Sequence, residues 1–541
     1  KSLITGLRKA KGDDGFGGQI LRCGMNPLLQ ALVPMFNIFW SLSVIPSQWK
    51  VAVCTPIFKS GERIPENHRL IAKLSLLGKV YEGCENVRMQ DYLENQSSAS
   101  GFDSKNPSLD DAQCGFRPGR SCLDASWTLS QIVQARGRKK QKTYTCFVDM
   151  KKAYPRTSPD FVIKRLYEFG FRGRMLHAME NRLRGMKHKI GIANVQGWQY
   201  ELGRGLPEGC ILSPALFSVF FNGVIKAVRD CDSGIKQLND SGEEFKLDCL
   251  LYADDLVLCS PSPEGLQKQI DAVAKWFDDN SCTVNMGMNK TNVVVFGGAI
   301  EVTDEDEELP IPQRWEHEVK KESDPETWTW GKGGQDIMTL QSYCYPGTPL
   351  SAMLGNYGRE SIDIDKKNRG ENHCFKEREN LENLKFRLVE TGHKGDSFHE
   401  FLKSIRGRVA GSRGLARKLT RFMGGDAHNE TNVFNAIVLP AATYNSPIWS
   451  LSSGKDNQLE KEWILAAKNV LSLEGQSPHE VISCELGWTK LSSKRRTADA
   501  MWWNKLRNMP QLKIESQNDE AGFRIPYKLM LWLRGDIGHD R

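Results

Sequence analysis

The sequence predicts an α+β fold in which strands and helices are mixed along the chain. Short apolar runs end at Asp149 and flank Asp254, and each has the length and composition of a strand. A helix with one apolar face is indicated by residues spaced at i, i+4, i+7 and i+11, namely Leu266, Ile270, Val273 and Phe277. The order of strand, helix, hairpin, helix and strand is typical of a split βαβ unit.

Local patterns predict further elements around this unit. An alternating strand covers Trp49–Lys59, and the pair Ser213-Pro214 begins a helix that runs to Ile225. Other helices are predicted over the ranges Leu28–Leu42, Leu74–Met89, Leu123–Val133, Phe161–Phe171 and Arg172–Arg184. The strands and helices are therefore mixed along the chain.

Composition limits the class of protein. A chain of 541 residues is too long for a single hydrophobic core, and this length predicts three or four structural units. The net charge of +7 permits a nucleic-acid partner without proving one, and the 14 cysteines contain no C-x-x-C pair. Such cysteines indicate reduced thiols used as small core residues, and argue against a disulfide scaffold or a zinc site.

The ends and the hydropathy of the chain carry further expectations. No apolar run approaches the roughly 20 residues of a membrane span, and no secretory leader opens the sequence. We therefore expect a soluble protein inside the cell, with no membrane partner. Because the first residue is Lys1 rather than Met, we expect a fragment or a processed product.

Three carboxylates are the strongest chemical signal. Asp254 and Asp255 are adjacent at the predicted hairpin turn, and Asp149 ends another strand about 100 residues earlier. Adjacent like charges repel, so a divalent cation or another positive partner is expected to compensate them. Acids gathered at neighbouring strand ends suit two-metal phosphoryl chemistry. For the Asp-Asp pair by itself, a solvated turn is the alternative.

Three motifs in this order and spacing resemble the palm of reverse transcriptases of the non-LTR retrotransposon (LINE-type) family. They are FVDMKKAY at residues 147–154, GLPEGCILSPALF at 205–217 and YADD at 252–255. The likeness runs from about Lys11 to about Trp503. It implies a right-hand polymerase of fingers, palm and thumb, with a split-βαβ palm and a helical thumb.

The resemblance also divides the chain into regions. These are an N-terminal extension (1–50), fingers (51–143), a palm with the catalytic hairpin (144–298), an acidic insertion with primer-grip strands (299–350), a linker and basic thumb (351–425) and a C-terminal helical region (426–541).

In the family's fingers, Lys59 and Arg69 resemble the cations that hold the incoming triphosphate. Arg117 and Arg120 lie in a glycine-rich loop that resembles the family's template-contacting loop. From charge alone, all four side chains could equally be solvated surface groups.

In the palm, the resemblance makes Asp149, Asp254 and Asp255 catalytic metal ligands for two ions of Mg²⁺ or Mn²⁺. Tyr154 resembles the aromatic that packs on the nucleotide sugar and disfavours a 2′-hydroxyl, although a half-buried strand aromatic explains it equally well. Lys290 resembles a proton donor to pyrophosphate, or it is an ordinary lysine at a strand start.

The loop before the Ser213 helix carries its own expectation and a departure from the family. Gly209 would let the backbone approach the base pair closely. Glu208 replaces the usual Gln, and a carboxylate near a triphosphate is unfavourable unless it is protonated, turned away or bridged by a cation. Pro155 and Pro346 depart from the family pattern as well.

A basic helix face is predicted in the thumb, where unbalanced positive charge suits a duplex backbone. A merely solvated face is the alternative. The face consists of Lys403, Arg406, Arg413, Arg417 and Arg421.

Together these features predict an RNA-directed DNA polymerase of a non-LTR retrotransposon. It would extend a DNA primer on an RNA template with deoxynucleotide triphosphates, act in the nucleus and have a cytoplasmic ribonucleoprotein stage. The alternatives are a catalytically decayed nucleic-acid-binding remnant and a group II intron-type maturase.

Overall fold

The computed structural model describes part of the chain. The described residues are 2–5, 14, 17–59, 61–96, 109–139, 141–192, 195–238, 244–286, 290–296, 328–331, 335–339, 342–345, 348–351, 409–412, 414–416, 427–443, 460–461, 463–465, 467–468 and 488–507.

Helices and strands alternate along these ranges. The helices are α1 (Ser2–Thr5), α2 (Gly18–Cys23), α3 (Met25–Leu42), α4 (Leu76–Gln96), α5 (Cys122–Arg138), α6 (Ala153–Arg156), α7 (Pro159–Glu168), α8 (Gly173–Leu183), α9 (Ser213–Arg229), α10 (Pro263–Asp279), α11 (Ala427–Thr443) and α12 (Leu491–Arg507). The strands are β1 (Val51–Phe58), β2 (His68–Lys73), β3 (Thr143–Val148), β4 (Lys187–Ile192), β5 (Val195–Glu201), β6 (Ile235–Leu238), β7 (Glu244–Leu247), β8 (Cys249–Tyr252), β9 (Asp255–Ser260), β10 (Asn292–Phe296), β11 (Trp328–Thr329), β12 (Asp336–Thr339), β13 (Ser342–Tyr345) and β14 (Thr348–Ser351).

A six-stranded sheet has the order β11-β12-β10-β3-β9-β8. Strand β9 is antiparallel to both β3 and β8, so it lies between two strands that run parallel to each other. Helix α9 lies in the long connection from β3 to β8, which also contains α6, α7, α8 and the strands β4 to β7. Helix α10 lies in the connection from β9 to β10. This is the split βαβ order that the sequence predicts.

Much of the core lies between this sheet and its helices. All six residues of β3 are buried, and α9 buries most of its length. The aromatic side chains of Phe217, Phe220, Phe221 and Phe277 are fully buried there. Because burying such a ring contributes about 1.5–3 kcal/mol, this cluster holds α9 and α10 firmly against the sheet.

A second sheet has the order β2-β1-β4-β5. Strand β1 pairs antiparallel with β2 and parallel with β4, although β4 follows it by more than 100 residues in the chain. Strands β4 and β5 fall inside the range 144–298 that the sequence predicts as palm, yet they extend the sheet of the predicted fingers. The two regions are thus interleaved in sequence.

The cysteines and the hydropathy of the helices can be compared with the predictions. Cys146, Cys249 and Cys259 are buried free thiols in strands, as the sequence predicts. No helix within the described ranges combines the length and the hydropathy that a bilayer crossing demands.

Candidate active site

The two adjacent acids lie at a two-residue hairpin turn between β8 and β9. Tyr252 pairs with Asp255 at the hairpin end, and Ala253 and Asp254 form the turn. Ala253 has φ +62°, a left-handed conformation that costs energy for a residue with a side chain. The surrounding structure must therefore hold this turn in place.

The third acid lies beside this hairpin. Strand β3 pairs with β9 in a register that ends with Val148 opposite Leu256. Asp149 follows β3 directly and Asp255 begins β9, so the two carboxylates leave neighbouring strands at the same edge of the sheet. Segments about 100 residues apart in the chain thus meet at one point.

Three partners fix Asp149. Its backbone N–H donates to Thr291 Oγ1 at 3.2 Å, and Asn285 Nδ2 donates to Asp149 Oδ2 at 3.0 Å. Lys290 Nζ lies 3.0 Å from the same oxygen. The predicted catalytic lysine is therefore an ion-pair partner of the predicted first metal ligand.

Burial and mutual repulsion raise the pKa values of two of the acids. Burial raises the pKa of Asp255 to about 7, with the charges of Asp254 and Asp149 adding to the rise and Lys290 opposing it. Burial, with the Asp149 charge, also raises the pKa of Asp254. Such acids bind protons readily unless a cation compensates them.

The donors are hard carboxylate oxygens, which suit Mg²⁺ or Mn²⁺. Within the described ranges, no three His, Cys, Asp or Glu side chains are close enough to form a preassembled ligand set. The fit to a divalent ion therefore depends on the chemistry of Asp149, Asp254 and Asp255 and on their electrostatic coupling.

Cations from the β1–β2 sheet face this acid cluster. Arg69 Nε lies 3.3 Å from a carboxylate oxygen of Glu208, and the charges of Arg69 and Lys59 both oppose the rise in the pKa of Glu208 that burial causes. The same two cations act on Asp254. Glu208 is therefore bridged by a cation, one of the three ways in which the sequence allowed a carboxylate at this position.

The loop of residues 207–212, called here the 207–212 loop, packs against β2. The backbone N–H of Ala72 donates to Glu208 O at 2.7 Å. A β carbon at Gly209 would lie only 2.2 Å from Ala72 O, and its φ is +129°. Both the close approach and the backbone conformation require glycine at this position.

Tyr154 is half-buried beside the acid turn. Its ring stacks on Phe217 with centroids 5.3 Å apart and an interplanar angle of 16°, and Phe116 meets it edge-on at 6.4 Å. Burial and the nearby charge of Asp254 raise the pKa of the Tyr154 hydroxyl, so it stays protonated. This position suits contact with a nucleotide bound at the acids.

The side chains of Arg117 and Arg120, which the resemblance predicts to contact the template, are paired inside the protein in this structure. The Arg117 side chain is fully buried, binds both carboxylate oxygens of Glu94 and donates to backbone carbonyls within its own loop. The Arg120 side chain is only 3% exposed and is paired with Asp111. Guanidinium groups with these partners organise the loop and leave no surface for phosphate.

Sequence reasoning missed the residue that holds the acid turn. Gln113 is fully buried, accepts from the N–H groups of Ala253 and Gly115 at 3.0 and 2.8 Å, and donates to Ala253 O at 3.2 Å. Backbone bonds from Leu251 N to Ala112 O and from Cys114 N to Leu251 O dock the loop against β8. The sequence shows only a polar residue before a glycine, which signals no such role.

The predicted basic thumb face lies outside the described residues. This applies to Lys403, Arg406, Arg413, Arg417 and Arg421, and also to Pro346 in the predicted primer grip.

A split βαβ sheet with acids at adjacent strand ends, facing cations from a second sheet, is the arrangement expected of a nucleotide polymerase. Residues 57–324 match the family described as "Reverse transcriptase (RNA-dependent DNA polymerase)". The family implies a nucleic-acid template and primer, and it generally uses divalent metal ions.

Comparison with known proteins finds similar polymerases of mobile elements and a more distantly similar solved structure. The chain is 26% identical over 281 residues to the "Probable RNA-directed DNA polymerase from transposon BS" of Drosophila melanogaster, covering 50% of this chain and 28% of the relative. It is 22% identical over 295 residues to the "RNA-directed DNA polymerase from mobile element jockey" of the same species, covering 53% and 30%. An apo telomerase structure from Candida tropicalis is 12% identical in sequence, with a TM-score of 0.34. The match covers 55% of this chain and 60% of the telomerase chain. The chain thus spans less than a third of the length of these two relatives.

Proposed function

We propose that this chain is the polymerase part of a non-LTR retrotransposon protein and extends a DNA primer on an RNA template. The observation that carries the proposal is the meeting of Asp149 with the Asp254-Asp255 turn across the β3–β9 pair. The family match and the two mobile-element relatives support the reaction class.

Each side chain at the site has a proposed role. Lys59 and Arg69 bind the triphosphate, because cationic donors offset phosphate charge. Tyr154 packs against the sugar and excludes a 2′-hydroxyl, and Gly209 lets the backbone approach the nascent base pair. Lys290 donates a proton to the leaving pyrophosphate.

The acids prepare the attack of the primer 3′-hydroxyl on the α-phosphate. Two ions of Mg²⁺ or Mn²⁺ held by Asp149, Asp254 and Asp255 would lower the pKa of the hydroxyl and stabilise charge on the phosphates. Asn285 and Lys290 orient Asp149, and the pair of Glu208 with Arg69 keeps a negative charge from facing the triphosphate alone.

The larger organisation follows the same proposal. The sheet of β1, β2, β4 and β5 corresponds to fingers and the six-stranded sheet to a palm, and the basic segment of residues 401–425 would form a thumb along the duplex. The nuclear site of action remains a prediction of the resemblance. The maturase and decayed-remnant alternatives are not favoured by the relatives.

The test is nucleotide incorporation on a primed RNA template with Mg²⁺ and then with Mn²⁺. We expect extension by the parent chain and background incorporation by Asp254→Ala, with the affinity for the primed template unchanged. Asp160→Ala is the matched control, because Asp160 is a surface aspartate on α7 that pairs with Arg184. Full extension by Asp254→Ala would refute the proposed mechanism.

A further inference from the structure

A buried ion triad lies next to the 207–212 loop. Arg182 on α8 donates to Glu82 at 2.9 Å and to Glu85 at 2.6 Å, and both acids belong to α4. The three side chains are 4%, 3% and 1% exposed, respectively. The triad therefore joins two helices well inside the protein.

Stability alone is a poor explanation for this triad. Removing charges from water costs several kcal/mol per ion, and apolar replacements of buried ion pairs are often equally stable. Burial raises the pKa of Glu85 to about 6, and its Oε1 atom has no hydrogen-bond partner among the described residues. The Glu85 carboxylate is therefore buried with only part of its hydrogen-bonding capacity satisfied.

Within the part of the chain that the structure describes, Glu82 also forms a hydrogen bond outside the triad, and Glu85 does not. Glu82 Oε2 accepts from the backbone N–H of Ile211 at 3.1 Å, while its Oε1 binds Arg182. Ile211 lies two residues after Gly209, whose other side is packed against Ala72 O. The 207–212 loop is thus held between β2 and the Glu82 carboxylate.

The loop also interacts with residues at and beside the acid turn. The charge of Asp254 acts on the carboxyl group of Glu208, and Tyr154 O accepts from Leu206 N at 2.8 Å just before the loop. A displacement of the loop would therefore move groups that face the bound nucleotide.

We propose that Glu82 is a positioning residue that fixes the 207–212 loop for the incoming nucleotide, with Arg182 orienting its carboxylate. This inference rests on the proposed polymerase function. Glu85 balances the charge of Arg182 but has no bond to the loop, so it makes a matched control within the same triad.

The experiment compares Glu82→Leu with Glu85→Leu in the full chain. Each variant removes one acid from Arg182 and fills the space with an apolar side chain, but only Glu82→Leu leaves the Ile211 N–H without its acceptor. For Glu82→Leu we expect the KM for deoxynucleotide to rise about tenfold with kcat changed by less than about threefold, as expected for one lost buried hydrogen bond. For Glu85→Leu we expect the KM to stay within about twofold of the parent value.

A second measurement does not depend on catalysis. Amide hydrogen exchange of residues 207–212 should become faster in Glu82→Leu than in Glu85→Leu. Thermal unfolding of both variants is measured as well, so that exchange is compared at equal stability of the folded state. Glu82→Gln retains one acceptor oxygen, so exchange in the loop should be slower than in Glu82→Leu. This readout stands even if the chain incorporates no nucleotide, which would count against the proposed function alone.

Two results would overturn the inference. One is equal exchange of the 207–212 loop in the two leucine variants. The other is an increase in KM in Glu85→Leu as large as that in Glu82→Leu, because it would assign the effect to the charge of the triad rather than to the bond with Ile211.

Discussion

Replacing Gly115 by alanine should impair catalysis by moving the acid turn. A β carbon at this position would lie 2.1 Å from Ala253 N and 2.8 Å from Ala253 Cα, where ordinary contact begins at 3.4 Å. Both obstructing atoms are backbone, so no side-chain rotation relieves the clash. The loop and the turn must separate by about 1.3 Å to reach ordinary contact.

The magnitude follows from this displacement. Overpacking of this kind costs about 1–3 kcal/mol, and weakening the Gln113 bonds to Ala253 adds about 1 kcal/mol for each bond lost. A misplacement of about 1 Å near reacting groups can cost about 100-fold in rate. We therefore expect Gly115→Ala to unfold at lower denaturant concentration and to lose about 100-fold in kcat.

Primer extension on an RNA template and urea unfolding measure the two effects. Gly203→Ala is the matched control, since a β carbon there meets no atom within 4 Å. A Gly115→Ala variant that keeps kcat within about threefold of the parent value would show that the loop does not position Ala253.

Two further perturbations test the electrostatics. Glu208→Gln should lower the KM for deoxynucleotide by up to about fivefold, because it releases Arg69 from a partly exposed ion pair worth up to about 1 kcal/mol. Steady-state kinetics measures the KM, and an increased KM would contradict this prediction. Burial raises the pKa of Glu85 from 4.5 to about 6, so the folded state binds its proton more tightly than the unfolded state. The resulting stability is complete below about pH 4.5 and is lost as the pH rises through about 6, a change of about 2 kcal/mol. Urea unfolding at pH 4.5 and pH 7 should show that loss in the parent chain and a smaller one in Glu85→Gln; equal losses would contradict the assignment.

The acid site could be predicted from sequence because its signals are local. The apolar runs around Asp254 and before Asp149 define strands that end in carboxylates, and the strand and helix order then restricts how they pair. Helix extents were less accurate: the prediction for Leu74–Met89 is observed as Leu76–Gln96, because tertiary packing extends the helix beyond its amphipathic pattern.

The features that the sequence did not predict depend on contacts between residues far apart in the chain. A glycine-rich basic loop suggests exposed arginines, but Arg117 is buried because Glu94, 23 residues earlier, pairs with it. The parallel pairing of β1 with β4 joins segments separated by the whole of β3 and several helices. The role of Gln113 likewise becomes visible only once the loop is docked on β8.

The central position of β3 has a consequence for how this protein can fail. Its side chains alternate between two packed faces, so a slip of one residue against β9 would reverse every side chain and carry Asp149 away from Asp255. Misregistered molecules would lose the packing fit on both faces of β3 and would separate the acids. Errors in assembly would therefore give inert chains and not error-prone copying.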